Sequence, residues 1–150
     1  MKRNNEEHKI QVGIVNYLSM ALPPDATYWA VPNGGARSQF TTKNGRSFSL
    51  EGKRLKDEGV VSGVADLMIL WAGRLICIEV KTPKGRQSQN QKDWEERVIT
   101  CGAVYRVVRS IDDVKNLLDL LGCVKPRARL GKRGLAQFKE RTELDDWLGN

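Results

Sequence analysis

Residues 63–81 read GVADLMILWAGRLICIEVK and contain two apolar runs, LMILW and LICIEV, on either side of an Ala-Gly pair. Apolar, β-rich runs around a two-residue turn predict a β-hairpin. Side chains alternate between the two faces of a strand, so Glu79 and Lys81 are expected on the same face. Asp66 stands at the start of the first strand and can reach the same edge. The segment therefore predicts a hairpin that brings two carboxylates and an ammonium group together.

Two carboxylates held this close repel each other unless a cation or a proton lies between them. Carboxylate oxygens are the ligands that Mg²⁺ and Mn²⁺ prefer. We therefore expect Asp66 and Glu79 to hold Mg²⁺ or Mn²⁺, with the carbonyl of Val80 as a backbone ligand. Lys81 would position the attacking water and stabilise the negative charge that grows on a phosphate. The alternative is that Glu79 and Lys81 form an ordinary ion pair, which leaves Asp66 unexplained.

Residues 6–22 have the spacing of an amphipathic helix that ends at Pro23-Pro24. Glu7 falls near the centre of the apolar arc of this helix, where an acid is costly without a partner. We expect Glu7 to point inward and to hold the same metal ion or a second one. The alternative is that Glu7, in the first turn, faces water and favours the helix dipole.

A second helix is expected over residues 89–101, with Ser88 as its N-cap. Gln91, Trp94 and Val98 share one face of this helix. Trp94 and Val98 are expected in the core. Gln91 is the polar member of the same face and needs a hydrogen-bond partner there.

The other segments complete an α/β pattern. Residues 28–31 and 104–108 have the character of strands, residues 36–49 that of a loop, and residues 50–58 and 111–121 that of helices. The principal elements follow in the order helix, strand, hairpin, helix, strand, helix. This order predicts an α/β fold with a mixed central sheet and helices packed on its faces.

The 150-residue chain carries a formal net charge of +7. A basic balance of this size indicates an anionic partner, with nucleic acid first. The alternative is a basic surface that serves solubility alone. We expect phosphate contacts from Lys84 and Arg86, in the basic turn that follows Lys81, and from Arg37, after a Gly-Gly turn. The alternative for Arg37 is that its segment is a plain solvent loop.

Several classes of function are excluded by what the sequence lacks. His8 is the sole histidine, which excludes a histidine-rich metal cluster and a two-histidine acid–base mechanism and disfavours a Ser-His-Asp triad. The chain has neither a GxxxxGK[ST] motif nor a strand-linked GxGxxG. Its three cysteines form no CxxC pair, which indicates a reducing cytoplasm rather than a disulfide framework. No apolar run approaches the ~20 residues of a membrane span, so no membrane partner is expected.

The motifs together resemble the VRR-NUC family, the virus-type replication-repair nuclease branch of the PD-(D/E)xK restriction-endonuclease-like superfamily. The resemblance is carried by Glu7, Gln11, VPNGG at 31–35, GVADL at 63–67, Glu79-Val80-Lys81, Gln91 and Gly102. The family usually has Pro before the catalytic Asp, where this chain has Ala65. The resemblance extends over about residues 6–121. We therefore expect a nuclease domain over residues 1–121 and a basic C-terminal extension over residues 122–150, whose apolar pattern is compatible with a helix.

This resemblance implies a restriction-endonuclease-like core and a metal-dependent DNA endonuclease. It implies Asp66, Glu79 and Lys81 as the central catalytic set, with Glu7 as a further metal-site acid and Gln91 as a supporting residue. It also implies a homodimer of phage replication or repair type that cuts branched DNA such as four-way junctions in the host cytoplasm. Two alternatives stay open: a non-catalytic DNA-binding module that keeps the fold, and an RNA-processing nuclease.

Overall fold

The computed structural model describes residues 5–32, 40–41, 47–48 and 50–125. Within these ranges the elements follow in the order α1 (Asn5–Ala21), β1 (Thr27–Ala30), β2 (Phe40–Thr41), β3 (Ser47–Phe48), α2 (Leu50–Asp57), β4 (Leu67–Trp71), β5 (Arg74–Val80), α3 (Gln89–Thr100), β6 (Val104–Val108) and α4 (Ile111–Leu121). None of the helices in the described part of the chain is both long and apolar enough to cross a membrane.

The hairpin predicted from residues 63–81 is confirmed. Strands β4 and β5 pair antiparallel, and their last pair is Trp71 with Arg74, so the connection has two residues. Ala72 and Gly73 both have positive φ, 49° and 71°. Positive φ at both central positions defines the turn whose twist matches that of the flanking strands. The Ala-Gly pair therefore fixes the register that brings the start of β4 beside the end of β5.

The central sheet has the strand order β1-β4-β5-β6. The pairs β1–β4 and β4–β5 are antiparallel, while β5–β6 is parallel. A parallel pair needs a crossover, and α3 supplies it between β5 and β6. The predicted α/β fold with a mixed sheet flanked by helices is confirmed. Because β5 and β6 run in the same direction, the segments that follow them emerge at the same edge.

Two apolar layers cover the two faces of the sheet. One layer packs α1 and α4 on the sheet through buried residues such as Ile14, Ile78 and Leu118. The other layer places α3 on the opposite face, where Cys77 and Val98 are buried. Side chains alternate along β5, so the odd-numbered positions face α3. By this alternation Glu79 lies on the α3 side, where it is fully buried.

The structure corrects one prediction, and two others, for Arg37 and for most of the C-terminal extension, fall on residues that it does not describe. The segment 36–49, expected to be a loop, contains a short antiparallel pair in which Phe40 is opposite Phe48 and Thr41 is opposite Ser47. Aromatic and β-branched residues favour strands, and the two short runs were too brief to give a periodic signal. Residues 33–39 and 126–150 lie outside the described residues, and with them most of the expected C-terminal extension.

Candidate active site

Asp66 lies immediately before β4, and hydrogen bonds on both sides hold it in place. Its backbone carbonyl accepts a hydrogen bond from the Val31 N–H at 2.9 Å. Its side-chain Oδ2 accepts one from the Val80 N–H, also at 2.9 Å. Val80 directly follows Glu79 in β5. The hydrogen bond therefore fixes the Asp66 carboxylate next to the backbone that carries Glu79.

Glu79 is the buried acid of the site, with an exposed fraction of 0%. Its Oε1 accepts a hydrogen bond from Gln91 Nε2 and lies 2.9 Å from Lys81 Nζ. Its other oxygen, Oε2, is buried and has no hydrogen-bond partner among the described residues. A buried carboxylate oxygen without a partner is costly, because nothing replaces the water that it has lost.

The surroundings of Glu79 raise its pKa from 4.5 to about 7. Burial is the largest cause, since it penalises the charged form, and the negative charges of Asp66 and Glu7 act in the same direction. The hydrogen bond and the positive charge of Lys81 oppose this shift without cancelling it. Strongly shifted carboxyl groups beside a partner charge are enriched at functional sites.

Gln91 joins the first turn of α3 to the site. The N-cap predicted at Ser88 is confirmed, and the structure shows it as part of a capping box: Ser88 N–H donates to Gln91 Oε1 at 2.8 Å, and Gln91 N–H donates to Ser88 Oγ at 3.3 Å. The amide nitrogen of the same side chain donates to Glu79 Oε1. Gln91, the polar residue on the apolar face of α3, thus has Glu79 as the hydrogen-bond partner that the sequence analysis required. Its hydrogen bonds with Ser88 fix the orientation of the side chain.

Glu7 is half-buried in the first turn of α1. Its Oε1 lies beside Gly85, because a Cβ added to that glycine would be 3.4 Å from this oxygen. Glu7 is also close enough for its charge to act on the pKa of Glu79. However, within the described ranges no three His, Cys, Asp or Glu side chains form a group that could hold a metal ion. Glu7, Asp66 and Glu79 are therefore neighbours without being one three-carboxylate cluster, and the role of Glu7 stays a prediction.

The basic residues predicted for phosphate contacts divide into two sets. Lys84 and Arg86 are exposed in the turn between β5 and α3, directly after Lys81. Arg37 lies outside the described residues. Lys84 and Arg86 thus flank Gly85, whose backbone lies beside the Glu7 carboxylate.

A second polar group on the α3 face was not singled out by the sequence. Gln87 Nε2 donates to Glu95 Oε2 at 2.7 Å and contacts the hydroxyl of Tyr105 at 3.5 Å. Tyr105 is buried, and its pKa is raised above the ordinary value of 10, by burial first and then by the charge of Glu79. Only the spatial pairing of β6 with β5 brings Tyr105 into this environment, so no local pattern could have identified it.

The donor set is suited to a hard divalent cation. Asp66 and Glu79 supply carboxylate oxygens, and Oε2 of Glu79 is a buried acceptor in need of a positive partner. Oxygen-rich sites of this kind suit Mg²⁺ and Mn²⁺. Asp66 and Glu79 alone do not fill the coordination of such an ion, so further oxygen ligands such as backbone carbonyls and water would complete it. The residues present therefore fit the expected ion.

The fold and the site define an α/β protein in which a buried Glu79 lies beside the partly buried Asp66 and Lys81, where β5 ends in the mixed sheet. The family model of the VRR-NUC domain matches residues 7–112, and the chain belongs to this family. A solved structure named "VRR_NUC domain protein" is similar in fold, with a TM-score of 0.52 and 22% sequence identity over 79% of this chain and 88% of the other. No curated protein matches the sequence.

The family and the shared fold confirm the resemblance drawn from the sequence. The mixed four-stranded sheet and its flanking helices fit the restriction-endonuclease-like α/β fold. Membership of the family implies a nuclease-type function in DNA processing.

Proposed function

We propose that the protein is a metal-dependent DNA endonuclease that hydrolyses phosphodiester bonds. The observation that carries this proposal is the buried Oε2 of Glu79, which lies beside Asp66 and Lys81 and has no hydrogen-bond partner within the described part of the chain. A carboxylate in this state is poorly stabilised by the protein alone. A divalent cation would relieve both the desolvation of Glu79 and its repulsion from Asp66.

Asp66 and Glu79 would hold Mg²⁺ or Mn²⁺, with the Val80 carbonyl as a backbone ligand. When bound, the ion would supply an activated water at neutral pH and neutralise charge on the phosphate. The hydrogen bond from Val80 N–H to Asp66 Oδ2 supports this set, because it ties the peptide of Val80 to the first carboxylate. Glu7 is proposed as a further acid of the metal site, reaching it from the side of α1.

Lys81 is proposed to position the attacking water and to stabilise the charge that develops on the phosphate. The Lys81 side chain is 11% exposed and its ammonium group lies 2.9 Å from Glu79 Oε1, so the charge is held at the site with part of the side chain open to a phosphate. A positive group fixed in advance in a largely dry environment is worth several kcal/mol of transition-state stabilisation in many enzymes. Gln91 supports this arrangement by holding Glu79 from the other side.

The preferred substrate is proposed to be branched DNA, such as a four-way junction, cut by a homodimer of phage replication or repair type in the host cytoplasm. The family membership and the net charge of +7 support DNA as the partner. Lys84 and Arg86 are proposed phosphate contacts because they are exposed directly after the catalytic strand. Arg37 is proposed for the same role from its sequence position.

The testing experiment is a cleavage assay on duplex, single-stranded, flap and four-way-junction DNA, and on matched RNA, with Mg²⁺ or Mn²⁺ against EDTA. We expect metal-dependent cleavage, greatest on a branched DNA, and its loss in Asp66→Asn and in Lys81→Met. Asp119→Asn removes an exposed acid from α4 and serves as the matched control that keeps activity.

Each other outcome contradicts a defined part of the proposal. DNA binding without cleavage would identify a non-catalytic binding module. Cleavage of RNA alone would identify an RNA-processing nuclease. Cleavage that survives in both Asp66→Asn and Lys81→Met would remove these residues from the mechanism.

A further inference from the structure

The turn that follows Lys81 is held by hydrogen bonds from Arg109, a residue distant from the turn in sequence. Within the turn, Gly85 N–H donates to the carbonyl of Thr82 at 3.0 Å. Arg109 Nη1 donates to this same Thr82 carbonyl and also to the carbonyl of Gly85, the latter at 2.9 Å. One NH₂ group thus joins the first residue of the turn to the fourth. Hydrogen bonds from a charged donor are about twice as strong as neutral ones.

Arg109 is itself held at a fixed position. It follows β6 directly, and its backbone N–H donates to Asp113 Oδ2 at 2.7 Å. The neighbouring carbonyl of Val108 accepts a hydrogen bond from Lys81 N–H at 2.9 Å. Because β5 and β6 are parallel, the residues after both strands meet at one edge of the sheet. Arg109 therefore connects the turn to a rigid part of the fold.

The turn lies beside the Glu7 carboxylate and carries two exposed basic side chains. At Gly85, a Cβ would be 3.0 Å from Thr82 Oγ1 and 3.4 Å from Glu7 Oε1, so the backbone passes closely beside the Glu7 carboxylate. Lys84 and Arg86 flank this glycine and are exposed. The position of one short turn thus determines where both basic groups lie relative to Glu7.

We propose that Arg109 is a positioning residue for phosphate binding by the turn 82–86, an inference that rests on DNA being the ligand in the proposed function. By bonding two carbonyls of the turn, Arg109 holds Lys84 and Arg86 in place before DNA arrives. The conformational entropy lost on binding is then smaller, because the turn is already ordered. Arg109 acts through the turn, and its own charge is not the main contribution.

The test compares DNA binding by Arg109→Lys and Arg106→Lys in EDTA, where metal-dependent cleavage does not take place. Both variants keep the net charge. Arg106 is an exposed arginine of β6, three residues before Arg109, and is the matched control. A lysine does not reproduce the fixed fork of a guanidinium, so we expect Arg109→Lys to lose contacts of the turn. We expect affinity to fall about tenfold and the slope of log affinity against log salt to fall by about two, as for two lost phosphate contacts. Arg106→Lys should bind like the wild type.

A variant carrying both Lys84→Ala and Arg86→Ala tests whether Arg109 changes DNA affinity through the turn. If Arg109 acts through the turn, adding Arg109→Lys to this double variant causes little further loss. Two results would overturn the inference: wild-type affinity in Arg109→Lys, or losses that add in full.

Hydrogen exchange in the free protein provides a readout that does not involve DNA. We expect faster exchange of the Gly85 amide in Arg109→Lys, with the Lys81 amide as well protected as in the wild type. Equal acceleration at both amides would indicate general destabilisation and would contradict a positioning role. A wild type that binds DNA but cuts nothing would defeat the proposed nuclease and leave this inference standing. A wild type that binds no DNA would overturn both.

Discussion

Lys81 Nζ lies 2.9 Å from Glu79 Oε1, in a pair whose acid is fully buried and whose base is 11% exposed. Period-two alternation along β5 produces this pairing, since the two residues are separated by Val80 alone. The pair leaves the second oxygen of Glu79 without a partner among the described residues. The Lys81 ammonium therefore pairs with only one of the two oxygens of Glu79, and the pKa of Glu79 stays raised, at about 7.

The raised pKa of Glu79 predicts how stability depends on pH in EDTA. Between pH 4.5 and about 7 the folded protein keeps a proton on Glu79 that the unfolded chain has released. Since the unfolded chain binds fewer protons, the free energy of unfolding should fall as pH rises through this range. Over the full range the fall amounts to about 3 kcal/mol. Asp66, Glu7 and Lys81 are the charged groups that act on Glu79.

Denaturant unfolding of the wild type and of Glu79→Gln from pH 4 to 8 measures this effect. The variant has no titrating group at the position, so the stability of the wild type relative to it should decrease with rising pH and become constant above about 7. A relative stability that increases over the same range would show that Glu79 is preferentially charged in the fold.

Gly63→Ala should destabilise the protein by about 3 kcal/mol, from left-handed backbone strain and a steric clash. Gly63 has φ +82°, and an added Cβ would lie 2.2 Å from the carbonyl oxygen of Asn90 in α3. Gly59→Ala is the matched control, because Gly59 has φ +89° and nothing within 4 Å of the added atom. The control should lose only about 1 kcal/mol.

Thermal or denaturant unfolding compares these two variants directly. The Gly63 contact joins the loop before Asp66 to the first turn of α3, where Gln91 stands. If the free energy of unfolding falls equally in the two variants, the contact between Gly63 and Asn90 is not tight. It then does not fix the distance between the loop before Asp66 and the first turn of α3.

The three cysteines should differ sharply in reactivity. Cys77 and Cys123 are fully buried, and burial raises the pKa of each thiol to about 11, whereas Cys101 is exposed. The thiolate is the reactive form, so protection follows from both burial and the raised pKa. A thiol reagent at pH 8 should modify Cys101 first in the native protein and all three after denaturation. Rapid native modification of Cys77 would contradict the packing of β5 against α3.

Local patterns predicted the parts of the fold whose partners are near in sequence. The hairpin followed from two apolar runs around Ala72-Gly73, and the cap of α3 from Ser88. The need of Gln91 for a partner also followed from its place on an apolar helix face, and the partner is Glu79. In each case a short repeat or spacing carried the information.

The remainder depends on contacts that no local pattern encodes. Arg109 bonds residues 27 and 24 positions earlier, which requires β6 to lie parallel to β5. Tyr105 enters the surroundings of Glu79 by the same pairing. The distance of Glu7 from the other acids likewise depends on how α1 packs on the sheet. The apolar periodicity of α1 predicts on which face of the helix Glu7 lies, but it does not give this distance. These features emerge from tertiary packing.

The rate of DNA cleavage by the wild type and by Glu79→Gln, on the best substrate of the panel, tests the proposed metal-dependent site most directly. With Mg²⁺ or Mn²⁺ the wild type should cut and EDTA should abolish cutting. Glu79→Gln keeps the shape of the side chain and removes its charge, and it should cut at least about a hundredfold more slowly. Equal rates for the two proteins, or full activity of the wild type in EDTA, would contradict a nuclease centre built on Asp66, Glu79 and Lys81.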